Sequence, residues 1–191
     1  LAAIVVQPAD LGVGWTAEAH EDDPDDAALQ AALLQCAGVT KSTDADKVDS
    51  VDSPDFSQND AFISSSATTY KSQADIDADI AILNNPNISS CYEQLFQAQL
   101  AKTLPAGSSV TGVTIKITPG TNGGPANVAA IGQGTITVTA SGKPITLYLA
   151  VAFITGPLLE VELDFENPTQ PVPATIFSGL VTALATRAGT R

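Results

Sequence analysis

Alternation of apolar and polar residues in the second half of the chain limits the fold more than any other feature. Val113, Ile115 and Ile117 are separated by Thr and Lys. Ile136 and Val138 are interleaved with Thr135, Thr137 and Thr139. After Ser-Gly-Lys come Ile145, Leu147, Leu149, Val151 and Phe153. After Thr-Gly-Pro, Leu159, Val161, Leu163 and Phe165 alternate with Glu160, Glu162 and Asp164. A period of two places one residue set on one face of a pleated strand. Short Gly-containing turns join the last three runs, which predicts an antiparallel meander with one buried face.

The first half carries the helical signals. In "HEDDPDDAALQAALLQCAG", Asp23 is placed as N-cap and Pro24 as the first helical residue. Asp25 and Asp26 fall in the first turn, where the helix dipole favours negative charge, and Gly38 is the stop. Residues 40–60 are polar, acidic and aperiodic, which reads as a loop with a short extended piece near "KVDSV". "AFISSSATTY" reads as a strand. Ser72 with Asp75 opens a helix with its face on Ile76, Ile80 and Leu83, and "NNPN" ends it. Ser90 with Glu93 has the spacing of a second capping box, ahead of Leu95, Phe96 and Leu100. A last helix carries Ile176, Phe177, Leu180 and Leu184. Helices first and strands later make an α+β fold: an antiparallel sheet meander with helices packed on one face, in a single domain spanning 1–191.

Charge removes several function classes. The chain has 191 residues with 21 acids against 8 bases, a net charge of -13. Phosphate backbones are repelled and no basic stripe offsets this, so no nucleic-acid partner is expected. Docking on anionic lipid is disfavoured for the same reason. The longest apolar runs, such as "LYLAVAFI", are too short for a transmembrane segment. Met is absent even at position 1, as in a processed or trimmed chain, and "LAAIVV" reads as the first element of the folded domain. Scarce Lys, abundant Ser, Thr and Ala, and two cysteines suggest a secreted bacterial protein.

Those cysteines, Cys36 and Cys91, have three readings. Cys91 at a helix N-terminus has the setting of a reactive thiol. Either residue serves equally as a small buried side chain. A bridge joins two helices across 55 residues, and the even count in a secreted-looking chain favours it. No CxxC motif and no metal-ligand spacing are present, so neither a metal nor a cofactor is expected.

"IVVQPADLGVGWT" at 4–16 resembles the opening of many actinobacterial secreted proteins and lipoproteins. The further layout is a Cys in the first helix, a Ser-rich strand, "SSCYEQL", a meander and a terminal helix with an Arg. Together these resemble the PknH-like extracellular domain family, named for the sensor domain of a mycobacterial serine/threonine kinase. The resemblance implies an α+β fold, a cell-envelope location and a ligand-binding or sensor-like role, with Trp15 anchoring the N-terminal segment to the core. The kinase's sensor carries two disulfides where this chain has cysteines for one, and no kinase segment is present.

Catalytic patterns are thin. A Ser-His-acid triad has only His20 to draw on, among Glu18, Glu21, Asp22 and Asp23, and there is no G-x-S-x-G. The acidic stretches 21–26 and 44–55 hold oxygen ligands without the EF-hand order, so they read as solvated loops. Glu160, Glu162 and Asp164 read as the wet side of the sheet. A candidate ligand floor is formed by Thr146, Tyr148, Ala150 and Ala152, with Thr137 beside them and Glu160 and Glu162 supplying charge. The expectation is therefore a non-enzymatic envelope domain, secreted or lipid-anchored, binding a small molecule, lipid or peptide. The alternatives are a carrier of an apolar ligand, with a closed cavity between sheet and helices, and a hydrolase using acidic residues, with a cleft of paired carboxyls.

Overall fold

A computed structural model describes residues 1–21, 26–39, 46–120 and 127–190. The expected cap residues Asp23 and Pro24, with Asp25, and residues 40–45 and 121–126 lie outside the described residues. The elements are β1 (Thr16–Glu18), α1 (Asp26–Cys36), β2 (Lys47–Asp52), β3 (Asp55–Gln58), β4 (Ala61–Tyr70), α2 (Gln73–Leu83), α3 (Ile88–Thr103), β5 (Ser109–Pro119), β6 (Asn127–Ala140), β7 (Lys143–Gly156), β8 (Leu159–Asn167) and α4 (Ala174–Gly189). The fold is α+β. All eight strands join one antiparallel sheet in the order β1-β3-β4-β8-β7-β6-β5, with β2 also pairing β4.

In the region expected to be a loop, the extended piece near "KVDSV" is strand β2, and β3 follows it where no strand was expected. They run along consecutive parts of β4, with Asp52 opposite Ser66 and Phe56 opposite Ile63. Ser53 bridges the break at Pro54: its amide donates to the Ser65 carbonyl and its hydroxyl accepts from the Ser65 amide. β2 is exposed along nearly its whole length, so no alternation marks it. Asn59 and Asp60, both with positive φ, make the two-residue turn into β4. That geometry matches the right-handed strand twist and suits Asn and Asp. Ser141-Gly142 does the same between β6 and β7.

Where the expectation gathered the helices on one face, they divide between two. On the first face, Leu159, Val161, Leu163 and Phe165 of β8 align with Ala150, Ala152 and Ile154 of β7 and with Ile63 and Ala67 of β4. Phe177, Leu180, Val181 and Leu184 of α4 cover them. Small residues let the helix approach closely. A Cβ at Gly156 would stand 2.5 Å from the Ala188 carbonyl oxygen. Ile4, Val5 and Val6 complete this core, and Trp15 meets Phe165 edge-on with centroids 6.2 Å apart. Arg187 of α4 ties the N-terminal segment down by donating to the Val5 carbonyl and pairing with Asp10.

Over the second face lie α1, α2 and α3. Leu83 at the end of α2 packs on Ala130 and Phe153. The Asp75 carboxylate accepts from the Ser72 amide, as the capping-box spacing implies. Ser90 and Glu93 do not form the second box. α3 starts earlier, at Ile88, and Glu93 instead accepts from the Ile115 amide while Ser89 Oγ accepts from the Ile117 amide. These two side chains occupy outward amides of edge strand β5, which would otherwise offer a pairing edge. Cys36 at the end of α1 and Cys91 in the first turn of α3 stand at disulfide distance, with Cα atoms 5.7 Å apart.

Candidate functional site

Between the second face and the three helices lies a cavity of about 500 Å³. β8 supplies its floor. Because Leu159, Val161, Leu163 and Phe165 point toward α4, Glu160, Glu162 and Asp164 must point into this space. β4 adds hydroxyls beside them: Thr68 stands opposite Glu160, Ser66 opposite Glu162 and Ser64 opposite Asp164. The helices supply an apolar roof of Leu29, Leu33 and Leu34 from α1, Ile82 and Leu83 from α2, and Tyr92, Leu95 and Phe96 from α3. Tyr92 and Phe96, one helical turn apart, stack with ring centroids separated by 6.2 Å. His20 lines the space too, and its Nδ1 lies 2.8 Å from the Asp55 carboxylate.

Glu160 sits in a cluster of acids. Tyr70 Oη donates to its carboxylate at 3.0 Å, and Asp79 of α2 is hydrogen-bonded to it as well. Burial pushes the Glu160 carboxyl up to about 8, and the charge of Asp79 adds to this, while the Tyr70 hydrogen bond works the other way. Glu160 therefore keeps its proton at neutral pH. Tyr70 is itself held protonated by burial and by Glu160 and Asp79. The Tyr92 hydroxyl is raised by burial, then by the charges of Glu162, Asp164 and Glu160. Farther along the same strand, burial alone raises Glu166.

No family model, curated protein or solved structure matches the chain. The geometry alone therefore decides what the site can do.

The expected ligand floor is not assembled. Thr146, Tyr148, Ala150 and Ala152 share one face of β7, and Thr137 stands beside Thr146, their hydroxyls 3.2 Å apart. Ala150 and Ala152 are buried in the core that α4 covers. Glu160 and Glu162 pair with Thr155 and Phe153, so they lie on the opposite face. The pattern of β7 puts its large residues in the core and its small ones on the surface. The structure buries both sets in part: α4 covers Ala150 and Ala152, Phe153 packs under Leu83 on the other face, and Ile145 is exposed. The acidic strand face, expected to be wet, is instead roofed.

Tyr70, Asp79, Tyr92 and Phe96 were missed. The run "SSS" on an otherwise apolar strand was the available signal, since hydroxyls inside a covered sheet need polar company. Among the described residues no helix is long and apolar enough to cross a membrane, and no group of His, Cys, Asp and Glu has the arrangement of a metal site.

Proposed function

We propose that the chain is a non-enzymatic, extracytoplasmic ligand-binding domain that holds a small molecule between the sheet and α1–α3. The cavity carries this reading. Its volume lies in the range of small-molecule sites, and its lining combines an apolar roof with a few converging polar groups. The cysteine pair at disulfide distance supports an oxidising compartment, hence the cell envelope or exterior. The resemblance to PknH-like extracellular domains supports the same location and a sensor-like role. Within this reading the carrier of an apolar ligand and the sensor share one site.

Nile red, a neutral apolar dye, tests the reading. Saturable one-to-one binding with blue-shifted emission is expected, and Ser66→Phe, which fills the space above Glu162, abolishes it while the circular dichroism spectrum stays unchanged. Absence of saturable binding, or binding indifferent to Ser66→Phe, removes the reading.

One observation favours a second reading, a hydrolase using acidic residues: Glu160 retains a proton near neutral pH, as a general acid must. Tyr70 and Asp79 already engage its carboxyl, which favours a locked structural pair. Turnover of a panel of aryl glycosides and esters, abolished by Glu160→Gln, would establish the second reading in place of the first.

A further inference from the structure

The two cysteines that link α1 to α3 differ sharply in access. Cys36, the last residue of α1, is exposed, whereas Cys91 in the first turn of α3 keeps 1% of its surface. A thiolate that breaks a disulfide attacks one sulfur along the S–S axis, from the side away from the other, so access decides which sulfur it takes. Attack on Cys36 Sγ comes in from the exposed end of α1. Attack on Cys91 Sγ would have to come from beneath a residue with almost no open surface. The first turn of α3 also favours the negative charge that Cys91 takes as it leaves.

Little besides this bridge holds α1. None of its described side chains is buried, and Leu29, Leu33 and Leu34 are half-buried over the cavity. α4, by contrast, buries six side chains. Just past the end of α1, Ala37 is buried and its carbonyl accepts from the Asn85 side chain at 2.8 Å. A broken bridge re-forms when the freed sulfur stays close to its partner. A helix so lightly held moves off, which lowers the effective concentration of Cys91 at Cys36 and lets a mixed disulfide persist.

We propose that Cys36 is a thiol-exchange site and that the bridge is a redox latch on the cavity. An external monothiol, as its thiolate, forms a disulfide bond with Cys36 Sγ. The Cys36–Cys91 bond breaks, and its electron pair leaves on Cys91 Sγ, which takes a proton from water. A second thiolate attacks the external sulfur of the mixed disulfide, frees Cys36 and departs as the oxidised dimer of the thiol. Two external thiols are oxidised and one protein disulfide is reduced. α1 then comes away from α3 and takes its three leucines out of the roof. The exchange stands on the two helices alone, while the release of ligand rests on the binding-domain reading.

The test incubates the folded chain with reduced glutathione, without denaturant, and quenches it in acid. Intact mass and peptide mapping in the absence of reductant should find one glutathione on Cys36 and none on Cys91. In the single variants, oxidised glutathione should modify the Cys36 thiol of Cys91→Ser in the folded state. The Cys91 thiol of Cys36→Ser should stay unmodified until the chain is unfolded. Full reduction of the wild-type chain should weaken Nile red binding about tenfold, a factor equal to about 1.4 kcal/mol. Emission from Trp15, which packs on Phe165 in the α4 core, should not change.

Glutathione on Cys91, two free thiols in the untreated chain, or exchange only in denaturant overturns the exchange site. Dye that stays bound to the reduced chain overturns the latch. If Nile red binds in neither state, the binding reading and the latch fall together, and the mass measurement still decides the exchange.

Discussion

The two faces of strand β8 show what one strand can do in two environments. Leu159, Val161, Leu163 and Phe165 enter a dry, closely packed core under α4. Glu160, Glu162 and Asp164 alternate with them and line the roofed cavity. The first face buries apolar area and makes stability. The second is covered without being filled, and it gathers acidic groups that a folding core would exclude. A strand with carboxyls under a helical roof leaves a cavity where packing would otherwise close it. Substitutions on the α4 face should therefore change stability and leave binding alone, and those on the cavity face should do the reverse.

The largest effect is expected where the roof is tied together. Replacing both Cys36 and Cys91 by Ser releases α1 from α3 across a separation of 55 residues. On the loop-closure model this costs about 4 kcal/mol, read from urea unfolding. It should also weaken Nile red binding, since both helices line the cavity. Unchanged binding would show that the roof holds its place without the link.

Next come the two faces compared directly. Leu163→Ala, at a fully buried position under α4, should cost about 3 kcal/mol and leave dye binding intact. Glu162→Gln, one residue away on the other face, should be neutral or stabilising, because it removes one charge from a group of like charges. If Glu162→Gln destabilises as much as Leu163→Ala, the cavity face is structural and the comparison fails.

The third effect is on pH. The Glu160 carboxyl stands at about 8 in the fold against an ordinary value of 4.5, with Asp79 of α2, Tyr70 of β4 and Glu162 of its own strand around it. Between those values the folded chain holds a proton that the unfolded chain has released. Its contribution is fully present below about 4.5 and is lost as pH rises through about 8. Stability should fall across that window. Glu166, raised by burial, acts in the same sense, so Glu160→Gln should reduce the slope without removing it. A slope unaffected by Glu160→Gln would show that Glu160 holds no extra proton in the fold.

The smallest effect concerns how α3 is fixed to the sheet. Ser89→Ala leaves the Ile117 amide without its acceptor. A loss of about 1 kcal/mol is expected, with faster hydrogen exchange at Ile117. Slow exchange in the variant would mean that other contacts hold α3 over the β5 edge.

Much of the architecture was legible from residue order. Alternation placed β5 to β8, composition placed β4, apolar spacing placed α2 and α4, Ser141-Gly142 placed a hairpin, and the two cysteines suggested their pairing. The extended piece near "KVDSV" is β2, but β3 was not marked, because four residues are too short to show a period. The α3 start was misplaced because Glu93 has two uses open to it. Capping its own helix is local, whereas reaching Ile115 depends on where the sheet lies.

The candidate site was almost illegible, for a related reason. Period two separates the residues of a strand into two sets, and the sequence of β7 and β8 determined those sets without ambiguity. It did not determine what covers each set. On β7 the larger side chains looked like the core, yet α4 settled on Ala150 and Ala152 because small residues allow close approach of a helix. On β8 the acids looked like a wet surface until α1, α2 and α3 closed over them. Local pattern follows from side-chain direction, a property of the strand itself. Burial follows from which partner arrives, and only the tertiary structure decided that.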